Sequence, residues 1–598
     1  MNKFLASTPV SGLTILLAML LSMASSPIVA EVSGGTQASS QAGSDPASAT
    51  DECEQSVTGS SYIPVDSWIY PAVMRLYSLG YVDTVYLGMR PWTRSSLNAM
   101  LDEVSSRIED SDSSPVNDEA ERIYQSLVHE THYDTVNQCS PPLDRLHIES
   151  IYTVVRGISG TPLRDSYHLG STIINDYGRP YQGGFNNYSG VGGYVSAGRF
   201  VLHVRSEFHE APSATGYSST LAQALTNIDQ TEYINPVTNS PYNQATIPMG
   251  PIGATANVRF LEAYVSYRLL NHEISFGKQD DWLGPGVGGG MAYSNNAENI
   301  YSFRINRTEP LFIPILSSLT GPFRYDFLVG SLKGHTYPND PWVHVEKVSF
   351  RPTANLEFGF ERTVIWGGKG HEPINLHTFL RGFFSLTAAS TTAIKNSAQD
   401  PGARFGSFDF SYRLPFVRNW FTLYTDSEAH DDVSPIDAPR RAAIRPGLYL
   451  SHVPGLPRLD LRVEAVSTDP PTSRSNGGLF MYNELIQKQG YTNQGQLFGD
   501  WIGREDKGGQ GWITYHLSGD EWVQIGVRNQ KAAKDFIPGG TTLNDISFQV
   551  VKRIGKDFEL NGNFSYERWK APIYLPGLQT VTTTTIQLTW FPERRTSF

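Results

Sequence analysis

From His147 to the C-terminus, apolar and polar side chains alternate residue by residue, and this period of two constrains the fold more tightly than any other feature of the chain. Leu459, Leu461 and Val463 alternate with Asp460, Arg462 and Glu464, and Leu356, Phe358 and Phe360 with Glu357 and Glu361. Phe408, Phe410 and Tyr412 alternate with Asp409, Ser411 and Arg413. Near the end, Ile586, Leu588 and Trp590 share one face and Thr585, Gln587 and Thr589 the other. Successive side chains of a strand point to opposite faces. The segment therefore reads as a long series of strands, each with one apolar and one polar face.

A soluble sandwich turns the apolar face inward and a membrane barrel turns it outward, so alternation alone cannot separate the two. Loop lengths can. About eighteen strands are predicted, beginning with 167–175 and 190–197 and ending with 579–590; 148–157 reads as a further strand or as a replacement. With the C-terminus on the periplasmic side, the long connections 210–256, 280–298, 366–403, 428–443, 467–510 and 530–543 fall outside the cell. The other rim has tight turns such as Leu270-Asn271, Arg351 to Thr353, Ser518-Gly519 and Ile554-Gly555, with the long apolar stretch 307–321 as its exception. Short turns on one rim and long loops on the other is the outer-membrane pattern. Aromatic residues make up 12% of a chain whose mean hydropathy is −0.30, as expected where Tyr and Trp girdle the two interfaces of a barrel with a polar lumen. The expected fold is an all-β transmembrane barrel of about 18 antiparallel strands with a small N-terminal α-helical domain. By parity Arg205, Glu207, Glu262, Arg268, Glu357, Glu361, Arg413, Asp460, Arg462 and Glu464 point inward. Charges of both signs close together predict crosslinks across the lumen rather than a wide channel of one sign.

The N-terminal part has a different order. Lys3, an apolar run from Leu13 to Met23 and small residues up to Ala30 form a secretory signal peptide over 1–30, with an apolar core too short to span a bilayer. A Ser-, Gly- and Ala-rich leader follows over 31–58, read as disordered. Within 59–140 the period becomes helical. Ile69, Ala72, Val73 and Leu76 follow Asp66 as N-cap and stop at Gly80; Leu97, Met100, Leu101, Val104 and Ile108 follow Thr93; Ala120, Ile123, Tyr124 and Leu127 form a third stripe from Asp118 to His129. This unit reads as a periplasmic helical domain in front of a barrel over 147–598. Cys53 and Cys139, both exported, bracket it and are expected to form a disulfide, the alternative being two separate buried thiols.

Three stretches carry a resemblance. "SYIPVDSWIYPAVMRLYSLGYVDTVYLGMRPWTRSSLNAML" (Ser61 to Leu101), "IINDYGRPYQGGFNNYSG" (Ile173 to Gly190) and "FGKQDDWLGPGVGGGMAYSNNAENI" (Phe276 to Ile300) resemble the Wzi-type capsule assembly family. The resemblance implies an eighteen-stranded outer-membrane barrel with a helical bundle at its periplasmic mouth, acting as a lectin that binds capsular or exopolysaccharide and attaches it to the cell. It also leaves room for contact with polysaccharide export machinery. Trp68, "LGYV" at Leu79 to Val82 and Pro91 to Arg94 are in turn similar to one S-layer homology module, which gives the alternative of a cell-wall-anchored porin.

Glycans are held by aromatic faces and by carboxylate, amide and guanidinium groups that fork to paired hydroxyls. Three exterior segments supply that set: Asp176, Arg179, Tyr181, Phe185, Asn186 and Asn187; Asp280, Asp281 and Trp282; and Trp366, His371 and Glu372. The alternative role for each residue is to hold the loops together across the barrel mouth. No cofactor, metal or enzymatic activity is expected. His371-Glu372 runs into Pro373 and lacks a second zinc ligand, there is no Gly-x-Ser-x-Gly elbow, and the glycine run from Gly286 to Gly290 has no helix after it. Adjacent Asp280 and Asp281 on a strand would point to opposite faces. A formal net charge of −12 argues against nucleic acid as a partner, while outer-membrane lipid is implied by the barrel itself.

Overall fold

The computed structural model describes residues 58–598 except 137–144, 231–232, 235–240, 243–249, 337, 386–393, 395–396, 398, 431–440, 472–473, 475, 485 and 593–598. The expected signal peptide and most of the leader, and both cysteines of the expected disulfide, lie outside the described residues.

Three helices open the described chain: α1 (Ile69–Leu79), α2 (Arg94–Glu109) and α3 (Pro115–Val136). Their apolar stripes meet in one core that also takes in Tyr424 and Tyr449 of the barrel wall. Thr93 caps α2 by accepting from the Ser96 amide at 3.2 Å, and Gly80 ends α1 in the left-handed region at φ 93°. Asp66 does not cap α1. Its carboxylate instead takes a fork from Arg205, at 2.9 and 2.7 Å, because a buried guanidinium needs a charge partner, while the Ile69 amide at the helix start donates to the Ser67 hydroxyl at 3.3 Å.

Eighteen antiparallel strands then close a barrel. They are β1 (Arg145–Ser159), β2 (Gly184–Ala197), β3 (Phe200–Ala211), β4 (Thr255–Leu269), β5 (His272–Lys278) and β6 (Tyr301–Arg307). Next come β7 (Phe323–Ser331), β8 (Trp342–Thr353), β9 (Leu356–Trp366), β10 (Ala403–Arg413), β11 (Phe421–His430) and β12 (Ala443–Leu450). The last six are β13 (Leu459–Ser467), β14 (Asp506–His516), β15 (Trp522–Ala532), β16 (Thr541–Ile554), β17 (Phe558–Ala571) and β18 (Leu575–Trp590). Closure comes from β1, which pairs β18 from Ile151↔Trp590 to Ser159↔Thr582 and β2 on its other side. Closing the sheet leaves no edge and pairs every strand on both sides.

The segment 167–175 is not a barrel strand; β1 takes its place, and only Gly170–Ser171 pairs there, with Arg164–Asp165. Tyr167, His168 and Leu169 are consecutive and all buried, so the alternation of types in that segment is not an alternation of environments. The strand β1 is harder to read because a bulge between Ile148 and Ser150 breaks its register.

Exposure follows the predicted parity. In β15 and β16, Ile525, Val527, Ile546 and Phe548 are exposed on the outer face, while Gly526, Arg528 and Ser547 turn inward. One rim carries short connections. At 270–271 Leu270 and Asn271 both have positive φ (49° and 61°), the geometry of a two-residue hairpin that matches strand twist. The exception on this rim, 308–322, holds the short helix α4 (Leu316–Thr320) and leaves Phe312, Ile315 and Leu319 exposed beside the apolar outer wall. The other rim carries the long connections, two of which contain the helices α5 (Ser219–Ile228) and α6 (Leu376–Phe384).

The lumen is filled from both ends. From the short-turn rim, the turn after α1 delivers the Leu87 and Gly88 amides to Glu357 at 2.7 and 3.0 Å. Asp83 pairs with Arg413, which also donates to the Tyr77 carbonyl at 2.7 Å and lies 4.2 Å over the Tyr77 ring. From the long-loop rim, 279–300 reaches down until Trp282–Leu283 pairs with Met89–Arg90 of the helical unit.

An outward arginine in the middle of the wall should be costly. Val527→Arg is expected to lose about 2–4 kcal/mol in denaturant unfolding of the vesicle-inserted protein, and the inward Ser547→Ala close to nothing. Equal losses at the two positions would reverse the assignment of the faces.

Candidate functional site

The loop from β1 to β2 folds inward, and Arg179 is its anchor. The guanidinium forks to Glu207 at 2.9 and 2.7 Å, donates to Asp176 at 2.7 Å and lies 4.5 Å over the Tyr188 ring. Asp176 also accepts from Arg156 at 2.9 Å. Burial alone would push its carboxyl up, but the two guanidinium groups outweigh this and hold it below the usual carboxylate range. Tyr181 is buried and donates to the Leu163 carbonyl at 2.6 Å. Asn186 faces inward and ties the Gln182 amide and carbonyl, each at 2.9 Å. Phe185 and Asn187 sit on the opposite face of β2; Phe185 is 64% exposed, and Asn187 donates to the Val154 carbonyl at 3.0 Å.

The second predicted group joins the first through Tyr177. Its ring lies 5.0 Å from the Arg179 guanidinium, and its hydroxyl donates to Asp280 at 3.0 Å. Asp280 also accepts from the Val65 amide at 2.8 Å and so ties this loop to the helical unit. Asp281 accepts from the Trp282 amide and faces Arg304 at 3.4 Å; Trp282 donates from its indole to the Gly286 carbonyl at 3.2 Å and has Arg90 5.6 Å over its ring. All three side chains are buried.

Trp366, His371 and Glu372 stand apart from these two groups. Trp366 lies on the outer face of β9 under α6, edge-on to His344 and near Phe379. His371 is half-buried and meets Asp400 at 3.0 Å, and Glu372 pairs with Arg381 of α6.

Three features of the site are not evident in the sequence. The glycine run from Gly286 to Gly290 is the tip of the descending loop: Glu464 accepts from the Val287 and Gly288 amides at 2.9 and 3.0 Å, and a Cβ on Gly290 would sit 2.8 Å from the Leu283 carbonyl. Loop backbone packed this closely on itself tolerates no side chain at Gly290. Arg445 bridges Glu464, at 2.7 Å, to Asp500 of the connection between β13 and β14, at 2.6 Å. His168 sits between Asp165, at 3.0 Å, and Asp229, at 2.8 Å, and Asp229 also takes Arg504 at 2.7 Å. That network clamps three long connections together. Inward parity marked Glu464 as luminal, but its partners come from loops with no periodic pattern. Among the described residues, no group of His, Asp or Glu is arranged to hold a metal ion.

The family model described as "Capsule assembly protein Wzi" matches residues 154–584. An uncharacterized 55.8 kDa protein in the cps region of Klebsiella pneumoniae is 28% identical over 174 residues, which are 29% of this chain and 33% of that protein, so the match spans a third of this curated relative's length. Among solved structures, Wzi of Escherichia coli, described as an outer membrane protein involved in group 1 capsule assembly and a carbohydrate binding beta-barrel, aligns with a TM-score of 0.60 at 16% identity. The alignment covers 88% of this chain and 99% of that chain, and at this identity it shows a shared fold.

The His168 clamp makes loop order depend on pH. Burial pushes the imidazole down, but Asp165 and Asp229 together outweigh it and raise its pKa to about 9 from the ordinary 6.5. The stabilisation is complete below about 6.5 and is lost as pH rises through about 9. Amide exchange in 163–172 and 219–229 is therefore expected to quicken between pH 7 and 10 beyond its intrinsic base catalysis, and His168→Gln to remove that extra step. A variant that keeps the wild-type profile would show that the clamp does not titrate.

Proposed function

This chain belongs to the capsule assembly protein Wzi family, and from that premise we propose that it is an outer-membrane lectin that holds exported polysaccharide at the cell surface. The short-turn rim and the helical domain over 59–140 face the periplasm, and the long-loop rim faces outward. The solved relative described as a carbohydrate binding beta-barrel supports the choice of ligand.

One observation carries the reading: segments entering from both rims meet in the lumen, at the pairing of Met89–Arg90 with Trp282–Leu283. A barrel crossed in this way is poorly suited to be the porin of the alternative reading, which leaves the surface of the long loops as the working part. Arg179, Tyr181, Asn186, Asp280, Asp281, Trp282 and Glu372 then serve binding as positioning residues, holding the loops in shape through their buried partners. Asp176 and His371, only half-buried, are then the members that touch sugar directly, while Phe185 and Asn187 lie on the outer face of β2 and Trp366 is buried under α6. No covalent chemistry belongs to this role.

Two measurements test it. In planar bilayers the purified protein is expected to give no steady large conductance; a stable open channel would restore the porin. On a glycan array it is expected to retain surface polysaccharide, with Arg179→Ala and Trp282→Ala each weakening binding at least ten-fold and His371→Ala less. Unchanged binding in the two positioning variants would remove those residues from the site.

A further inference from the structure

The lumen contains a cavity that the loop surface does not use. It has a volume of ≈ 200 Å³ and lies in the short-turn half of the barrel, between α1 and the inward faces of β13 to β16. Register places its lining together: Thr514 is opposite Gln524, His516 opposite Trp522, and Gln524 opposite Gln549. Trp512 and Trp522 line it from the wall, Tyr449 and Trp68 add two more rings, and the exposed Pro71 at its edge connects it to solvent. This volume is below that of pockets for drug-sized ligands and suits a single sugar ring.

The polar groups of the cavity are unequally satisfied. Asp460 accepts from the Tyr449 hydroxyl at 3.1 Å and meets His516 at 2.7 Å. Arg462 is buried, and its guanidinium lies 4.1 Å over the Tyr449 ring. Among the described residues it has no carboxylate at ion-pair distance, and its hydrogen-bond partner is the weak acceptor Sδ of Met74 at 3.1 Å. Other buried luminal arginines have oxygen partners: Arg205 forks to Asp66, Arg413 pairs with Asp83, Arg445 pairs with Glu464 and Asp500, and Arg324 and Arg351, which also lack a carboxylate at ion-pair distance among the described residues, donate to main-chain carbonyls. Asp460 and Glu464 flank Arg462 on the same face of β13, but Tyr449 and His516 engage the first and Arg445 and Tyr424 the second. A buried guanidinium with no carboxylate at ion-pair distance leaves room for a charge-assisted fork to a ligand carboxylate. Indole faces alongside supply the stacking surface that the C–H side of a sugar ring prefers.

We propose that this cavity binds a carboxylate-bearing sugar unit, admitted from the short-turn rim, with Arg462 taking the carboxylate and Trp512 and Trp522 flanking the ring. On the orientation adopted above, that rim is the periplasmic one. The chain would then hold polysaccharide at two places, and this one is independent of the exterior loops.

The test uses the full protein in detergent, its tryptophan emission titrated with a glucuronate-containing hexasaccharide and with the same hexasaccharide after reduction of its carboxyl groups to alcohols. The acidic sugar is expected to bind at least ten-fold tighter. Arg462→Gln should bring the two affinities together, Arg462→Lys should keep part of the difference, and Trp512→Phe with Trp522→Phe should abolish the emission change. Retained heat-dependent gel mobility reports that each variant is folded. Arg179→Ala, whose partners Asp176 and Glu207 do not line this cavity, should leave the titration as in the wild type, so failure of the surface reading and failure of this one are told apart. No emission change with either sugar, equal affinity for both, or discrimination that survives Arg462→Gln would overturn the proposal.

Discussion

Ion pairing between the inner wall of the barrel and the segments inserted into it is the interaction on which the rest of the structure depends. Eighteen strands enclose more space than inward side chains alone can fill. The wall carries charge where the filler must go, and every buried charge needs a partner. Asp66 and Asp83 bring carboxylates from the helical unit to Arg205 and Arg413, and the Leu87 and Gly88 amides bring donors to Glu357. From the opposite rim, the Val287 and Gly288 amides and Asp500 meet Glu464 and Arg445. Removing one partner of a fully buried pair such as Arg445–Asp500 costs about 3–5 kcal/mol, so contacts of this kind fix the inserted segments to the wall. The long loops owe their shape to the same pairing and not to any secondary structure of their own.

Legibility in the sequence follows this division. Where one face meets hydrocarbon and the other meets the lumen, as in β13 or β16, the environment alternates along the chain and so do the residue types; those strands can be read directly. Where a segment is surrounded on all sides, that link breaks. Tyr167 to Leu169 are all buried in a loop although the types around them alternate, and Asp66 looks like a helix cap although it answers an arginine 139 positions away. The predicted site shows the same limit. Residue chemistry singled out Arg179, Asp280 and Trp282 as polar and aromatic groups on long connections, but it could not say that these side chains are buried in the lumen or that their partners are Glu207, Tyr177 and the helical unit. Glycan-type chemistry and loop-holding chemistry use the same side chains, and only burial separates them.

The two halves of the lumen differ in kind. Strands β3 to β13 present charged inward residues such as Arg205, Glu357, Arg413 and Glu464, each taken up by an inserted segment. Strands β14 to β18 present mostly amides and hydroxyls: apart from the Arg528–Glu567 pair, which meets the loop at Thr172, Gln524, Ser547, Gln549, Asn561, Asn563 and Thr585 turn inward and are only half-buried. Neutral polar groups remain content in water or with one another, as Gln549 and Asn561 are at 3.1 Å, and so they exert no comparable pull on a plug. The helical unit accordingly leans on the charged half, and space is left along the neutral half. Arg462 of β13 faces the opening left along the neutral positions of β14 to β16, which is why a cation with no carboxylate at ion-pair distance and a row of aromatic rings occur at the same point of the lumen.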